Sequence, residues 1–223
     1  MAPRAPVGAA ARRWPDILFR AESARPAVAL TLDDGPDPAV TPAVLDLLAA
    51  SGCRATFFAL GRAADRHPAI VARLVAEGHE LGNHGWDDRP SRVLPPAQFE
   101  ADLMSAHEVL AEHAPVALMR PGSGLIGAEQ RRALRDRGYR CVLGSVYPLD
   151  AHLPQGRALG AVVARWARPG DIVILHEGPR SRACVVAMLG AALRGLRRRG
   201  LEVTTVGDLL AAREAVTSNA SAE

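Results

Sequence analysis

Lysine is absent from all 223 residues, so each of the 27 basic side chains is an arginine. That points to biased codon usage rather than to chemistry. The arginines lie scattered among 24 acidic residues and leave a formal net charge of only +3. A nucleic-acid partner is not expected, because it would need a clustered basic face. Cysteine is scarce too: Cys53, Cys141 and Cys184 stand far apart with no Cys-x-x-Cys pair. That excludes a thiol zinc site and a disulfide framework and predicts reduced, buried thiols. No apolar run reaches the roughly 18 residues of a membrane span. No apolar segment of the secretion-signal kind precedes Trp14. A cytoplasmic protein with no membrane partner is the expectation, and oligomeric state is not legible.

An apolar content of 48% and a charged content of 23% belong to a soluble globular chain. Residues 1–13, rich in Ala, Pro and Arg, read as a disordered arm, and 216–223 as a disordered tail. Between them, 14–215 reads as one domain with no linker or composition shift.

The most informative stretch is 27–38, Ala-Val-Ala-Leu-Thr-Leu-Asp-Asp-Gly-Pro-Asp-Pro. An apolar run bounded by turn residues predicts a buried strand. Asp33 and Asp34 then stand at its C-terminal end, where two adjacent carboxylates need a cation, a metal or a shared proton. A capped Asp-Gly turn is the bland alternative. Downstream, strands are expected over 54–60, 80–83, 116–119, 139–143, 171–175 and 201–206, with helices between them. Thr41 followed by Pro42 marks one helix start. Such alternation predicts parallel strands with crossover helices, open or closed into a barrel. Acidic, basic or cationic residues follow several strand ends: Asp33 and Asp34, then His84, Arg120 and His176. That is the arrangement a barrel-type active site requires.

These residues resemble the polysaccharide deacetylase family, carbohydrate esterase family 4 with the NodB homology domain, over nearly the whole chain. Thr31-Leu32-Asp33-Asp34-Gly35 is similar to the first family motif. His84-Gly85-Trp86-Asp87-Asp88 is similar to the second, His-Ser/Thr-x-x-His, but Asp88 stands where the second histidine is expected. Arg120-Pro121-Gly122-Ser123-Gly124 and Leu175-His176 are similar to the third and fifth. The fourth has no good copy; Asp150 is the only acid in that region. The resemblance implies a distorted (β/α) barrel of about seven parallel strands, the NodB-like deacetylase fold.

The resemblance also implies a chemistry. Asp33 would be the general base, oriented by Arg120, and His176 would protonate the departing amine. Asp34, His84 and Asp88 would hold a divalent metal, zinc by family default, with manganese, cobalt or iron as alternatives and Asp87 as a rival ligand. The backbone N–H near Ser123 would face the oxyanion, Leu175 would line the acetyl pocket, and Asp150 would orient His176. Trp86 and Tyr147 either stack on a sugar or close the barrel mouth. The expected partner is an N-acetylated carbohydrate or a small acetamide. Only 4% of residues are aromatic, which argues against a long glycan platform. A non-catalytic carbohydrate-binding protein on a decayed scaffold and a hydrolase of a non-sugar amide remain the alternatives.

Overall fold

The computed structural model describes residues 7–23, 25–153, 156–178 and 183–212. Its strands are β1 (Ile17–Leu18), β2 (Ala27–Asp33), β3 (Thr56–Ala59), β4 (Glu80–Asn83), β5 (Leu118–Met119), β6 (Arg140–Val142), β7 (Ile172–His176) and β8 (Glu202–Thr204). The helices are α1 (Val7–Arg13), α2 (Thr41–Ser51), α3 (Gly61–Arg66), α4 (Pro68–Ala76), α5 (Pro96–Ala111), α6 (Ala128–Asp136), α7 (Gly156–Trp166) and α8 (Val185–Arg198). Residues 206–212 are helical as well. None of these helices is long and apolar enough to cross a membrane.

All strand pairs are parallel, in the order β1-β6-β5-β4-β3-β2-β7, with β8 pairing β2 off that path. Short links between alternating strands and helices force this arrangement. The sheet curls until its ends approach: Val146 bridges Val173, and Arg20 bridges Asp171. Seven strands therefore form a curled, NodB-like half-barrel wrapped in helices, as the resemblance implied.

β2 is the hub. Every one of its residues is buried, and it pairs with three strands. Its period-2 alternation sorts the side chains. Val28, Leu30 and Leu32 join the outer core under the helices, with Val173 and Leu175 of β7. Ala27 and Ala29 join a smaller inner core with Phe58, Val142 and Ile172. By the same alternation Thr31 and Asp33 point into the barrel, where small inner residues leave room for polar groups.

Three features differ from the sequence reading. α1 occupies 7–13, where an arm without structure was expected; Val7 is buried and joins the main core, which gives this Ala-rich segment a packing partner. β1 was not foreseen, being only two residues long and held by β6. The Thr41 side chain caps nothing at the start of α2; its hydroxyl instead accepts the Asp37 N–H. The expected tail 216–223 lies outside the described residues.

Candidate active site

The strand ends converge on a cavity of about 480 Å³. β2 delivers Asp33 to its interior through the inward parity of the strand. Asp34 should then point away, but its φ of 72° turns it back toward the same cavity. The left-handed conformation is unusual for a residue with a side chain. Gly178 lies so close that a Cβ there would come within 2.6 Å of the Asp34 Cβ, so only glycine lets this turn form.

Asp33 is buried and held from two sides. Arg120 Nη1 donates to Asp33 Oδ1 and to the Thr31 hydroxyl, both at 2.6 Å. The other guanidinium nitrogens donate to the carbonyls of Val142 and Leu143, and the ring of Phe58 lies 4.1 Å from the guanidinium carbon. A buried arginine so fully satisfied fixes the orientation of the carboxylate. On the other side His176 Nε2 stands 4.0 Å from Asp33 Oδ2.

His176 is itself oriented by Asp150. Its Nδ1 lies 3.0 Å from Asp150 Oδ1, and its backbone N–H donates to Oδ2 at 2.7 Å. Burial alone would lower the His176 pKa; the Asp150 hydrogen bond and the charges of Asp33 and Asp34 prevail and raise it to about 9. Tyr147 packs beside the imidazole at 5.4 Å between ring centroids, with its hydroxyl pKa raised to about 12 by burial and nearby carboxylates.

Across the cavity, His84 Nδ1 lies 2.8 Å from the Arg120 carbonyl oxygen. A carbonyl only accepts, so Nδ1 carries a hydrogen and Nε2 turns toward the cavity. That Nε2 lies 3.3 Å from Asp34 Oδ1. Two acceptors at this distance need a proton or a cation. Two ligands roughly 2.1 Å from one tetrahedral ion would stand about 3.4 Å apart, so the pair fits a metal. Burial would lower the His84 pKa, but the contact with Asp34 and the charge of Asp33 raise it.

Asp88 lines the same cavity from an exposed position. Among the described residues no three His, Cys, Asp or Glu side chains gather tightly enough to hold an ion. Asp87, the rival ligand, is engaged elsewhere, taking two hydrogen bonds from Arg62 at 2.5 and 2.8 Å. The 87–89 loop is set by Gly122, where a Cβ would come within 2.1 Å of the Arg89 carbonyl oxygen. Ser123, with φ 60°, turns into the cavity wall beside Gly124.

Two expected substrate contacts fall elsewhere. Leu175 is fully buried in the outer core, because strand parity puts it on the opposite face from His176. Ile174, two residues before His176, lines the cavity instead; counting by twos back from the histidine would have found it. Trp86 packs over Gly61 and the Arg62 guanidinium and lines a separate groove against α5. Its backbone N–H donates to Asp102 Oδ2 at 3.0 Å.

One buried acid was missed. Glu177 follows β7, is 1% exposed, and donates its backbone N–H to the Asp33 carbonyl at 3.0 Å. Burial first, then the charges of Asp37, Asp34 and Asp33, raise its carboxyl pKa to about 8. Its position directly after a histidine at a strand end was the only signal in the sequence.

Known proteins supply a frame for this geometry. A family model described as polysaccharide deacetylase matches residues 20–142. A peptidoglycan-N-acetylglucosamine deacetylase of Bacillus cereus is 35% identical over 186 residues, covering 82% of this chain and 87% of that protein. A chitooligosaccharide deacetylase of a Bradyrhizobium species is 32% identical over 212 residues, covering 89% of this chain and 94% of that protein. A crystal structure of a peptidoglycan N-acetylglucosamine deacetylase, in complex with 4-naphthalen-1-yl-N-oxidanyl-benzamide, superposes with a TM-score of 0.83 at 27% identity, covering 88% of this chain and 94% of that one. Because the matched region carries Asp33, Asp34, His84 and Arg120, and the similarity to whole relatives runs on through most of the chain, this protein belongs to the polysaccharide deacetylase family.

Proposed function

We propose that the protein is a metal-dependent hydrolase that removes the N-acetyl group from an amino sugar, cleaving a carbon–nitrogen bond that is not a peptide bond. One observation carries this reading: Asp33 is clamped by Arg120 on one oxygen and faced on the other by His176, which Asp150 orients from behind. A binding protein has no use for a base and an acid set across one cavity. Relatives named as peptidoglycan N-acetylglucosamine and chitooligosaccharide deacetylases support an amino-sugar substrate.

Asp34, His84 and Asp88 would hold the metal, zinc by family default, with manganese, cobalt and iron as alternatives. When bound it would polarise the acyl carbonyl and acidify a water. Asp33 accepts the proton of the attacking water as the new C–O bond forms. The backbone N–H of Ser123 would face the carbonyl oxygen as charge builds on it, since those of Gly122 and Gly124 are taken by Ser91 and Pro121. His176 then gives its Nε2 proton to the amine nitrogen as the C–N bond breaks. Acetate and free amine leave, and solvent resets the two protons.

The direct test is acetate release by zinc-reconstituted protein from N-acetylglucosamine oligomers and from small acetamides. Release from the oligomers is expected; none from any substrate, with zinc bound, rejects the reading. Asp33→Asn should bind zinc as tightly as the parent and lose turnover on the order of 10²–10⁴-fold. Undiminished turnover in that variant would remove Asp33 from the role of base.

The lack of a closed three-residue cluster among the described residues favours a second reading, a non-catalytic carbohydrate-binding protein. Zinc content of the purified protein separates the two, since an empty centre after metal reconstitution belongs to the second.

A further inference from the structure

The floor of the catalytic cavity is apolar and hollow. Ile174 projects inward one side-chain step deeper than His176 on β7. Leu143 and Gly144 beyond β6 and Phe19 beyond β1 complete the floor. Val7 and Ala10 of α1 wall it on the outer side. Ile174, Leu143 and Gly144 each keep partial exposure, whereas Leu175, next in the chain, has none. The exposed faces therefore border open space rather than packed core. The space lies beside the seam where the curled sheet brings β7 back toward its first strand.

The lining divides by polarity: Asp33, Asp34, His84, Asp88 and His176 supply its ionisable groups, whereas Ile174, Leu143, Gly144, Phe19, Val7 and Ala10 are apolar. A sugar ring is rimmed with hydroxyls that lose hydrogen bonds in an apolar recess. It stays among the ionisable groups, and the acyl group is the end that points to the floor. An acetyl methyl would contact Ile174 and leave the region between Phe19, Leu143 and α1 unfilled.

We infer that this floor, walled by α1, is an acyl pocket that admits N-acyl chains longer than acetyl, so that N-butanoyl and N-hexanoyl amino sugars are bound and hydrolysed as well. The inference rests on the amide-hydrolase reading. The balance is the same for each chain: water oxygen bonds to the acyl carbon, the C–N bond breaks, the amine takes a proton and the fatty carboxylate leaves.

The experiment measures kcat/KM of the zinc-loaded full chain on N-acetyl, N-butanoyl and N-hexanoyl glucosamine oligomers. In parallel, calorimetry measures binding of the same series to Asp33→Asn. Each methylene that enters the floor should tighten binding roughly fourfold until it is filled, and kcat/KM for the butanoyl substrate should equal or exceed that for acetyl. Butanoyl cleaved at less than a tenth of the acetyl value, or affinity flat or falling with chain length, overturns the inference and leaves N-deacetylation standing. No release from any chain length overturns the hydrolase reading instead, and the calorimetric series then decides the pocket alone. Ala10→Trp and Ile174→Phe should each lower the butanoyl-to-acetyl ratio at least fivefold. An unchanged ratio in both variants, each shown folded by circular dichroism, also overturns it.

Discussion

At the scale of single residues, the two adjacent carboxylates of β2 are kept apart by backbone conformation. Strand parity aims Asp33 inward at Arg120, and the positive φ of Asp34 swings it to His84. Each acid thus has its own counter-group. Asp150 sets the state of the facing imidazole, whose pKa near 9 leaves it protonated at neutral pH. Asp150→Asn should move the basic limb of the kcat profile from about pH 9 toward neutrality and cut turnover at pH 8 at least about tenfold. The same raised pKa links to stability. The pair's contribution is complete below the unfolded histidine value of about 6.5 and is lost as pH rises through about 9. Glu177 has the same sign by a different cause, burial of the carboxyl rather than pairing of a cation. Its carboxyl holds a proton in the fold to about pH 8, so the fold loses stability between its ordinary range near 4.5 and pH 8. Glu177→Gln should therefore gain melting temperature relative to the parent as pH rises from 5 to 8, by at least roughly 2 °C, the lower bound for 1 kcal/mol at this size. A thermal melt at both pH values reads it; a difference independent of pH rejects a protonated Glu177.

Among the elements, loops fix the far side of the cavity. The 87–89 segment carries Asp88 and rests on Gly122 at a distance that excludes any side chain. Gly122→Ala should push that segment outward, weaken zinc binding about tenfold in a competition titration, and lower stability by about 1–3 kcal/mol. Unchanged zinc affinity would mean that the position of Asp88 does not matter to the metal. α1 shows how a short element is hidden from sequence reading. Its composition is that of a frayed arm, and only contact with the barrel gives Val7 a place to be buried. Trp86 is a parallel case: its neighbours in sequence are candidate ligands, but its neighbours in space are Gly61 and Arg62.

For the molecule as a whole, the candidate metal ligands come from distant parts of the chain, so a bound metal would couple to folding. Asp34 follows β2, His84 follows β4 and Asp88 lies in the loop beyond. The unfolded chain offers no such site, so zinc at about 100 times its dissociation constant should add about 2.7 kcal/mol of stability, roughly 5–10 °C at this size. A chelator should reverse the gain, and Asp34→Asn should abolish it. If Asp88→Asn keeps the full gain, Asp88 is not a ligand. The sequence by itself determined the parallel β/α alternation, the burial of β2 and the placing of Asp33, Asp34, His84, Arg120 and His176 at strand ends. Those features rest on local periodicity and on motifs contiguous in the chain. It also placed Asp150 in the right region, though its motif there was poor. Only the tertiary structure decided that Asp150 meets His176, that Ile174 and not Leu175 lines the cavity, that Trp86 lies outside it, and that α1 walls its floor. Each of these depends on which face a side chain turns to and on which distant segment meets it when the sheet curls, and neither is encoded in the spacing of residues along the chain.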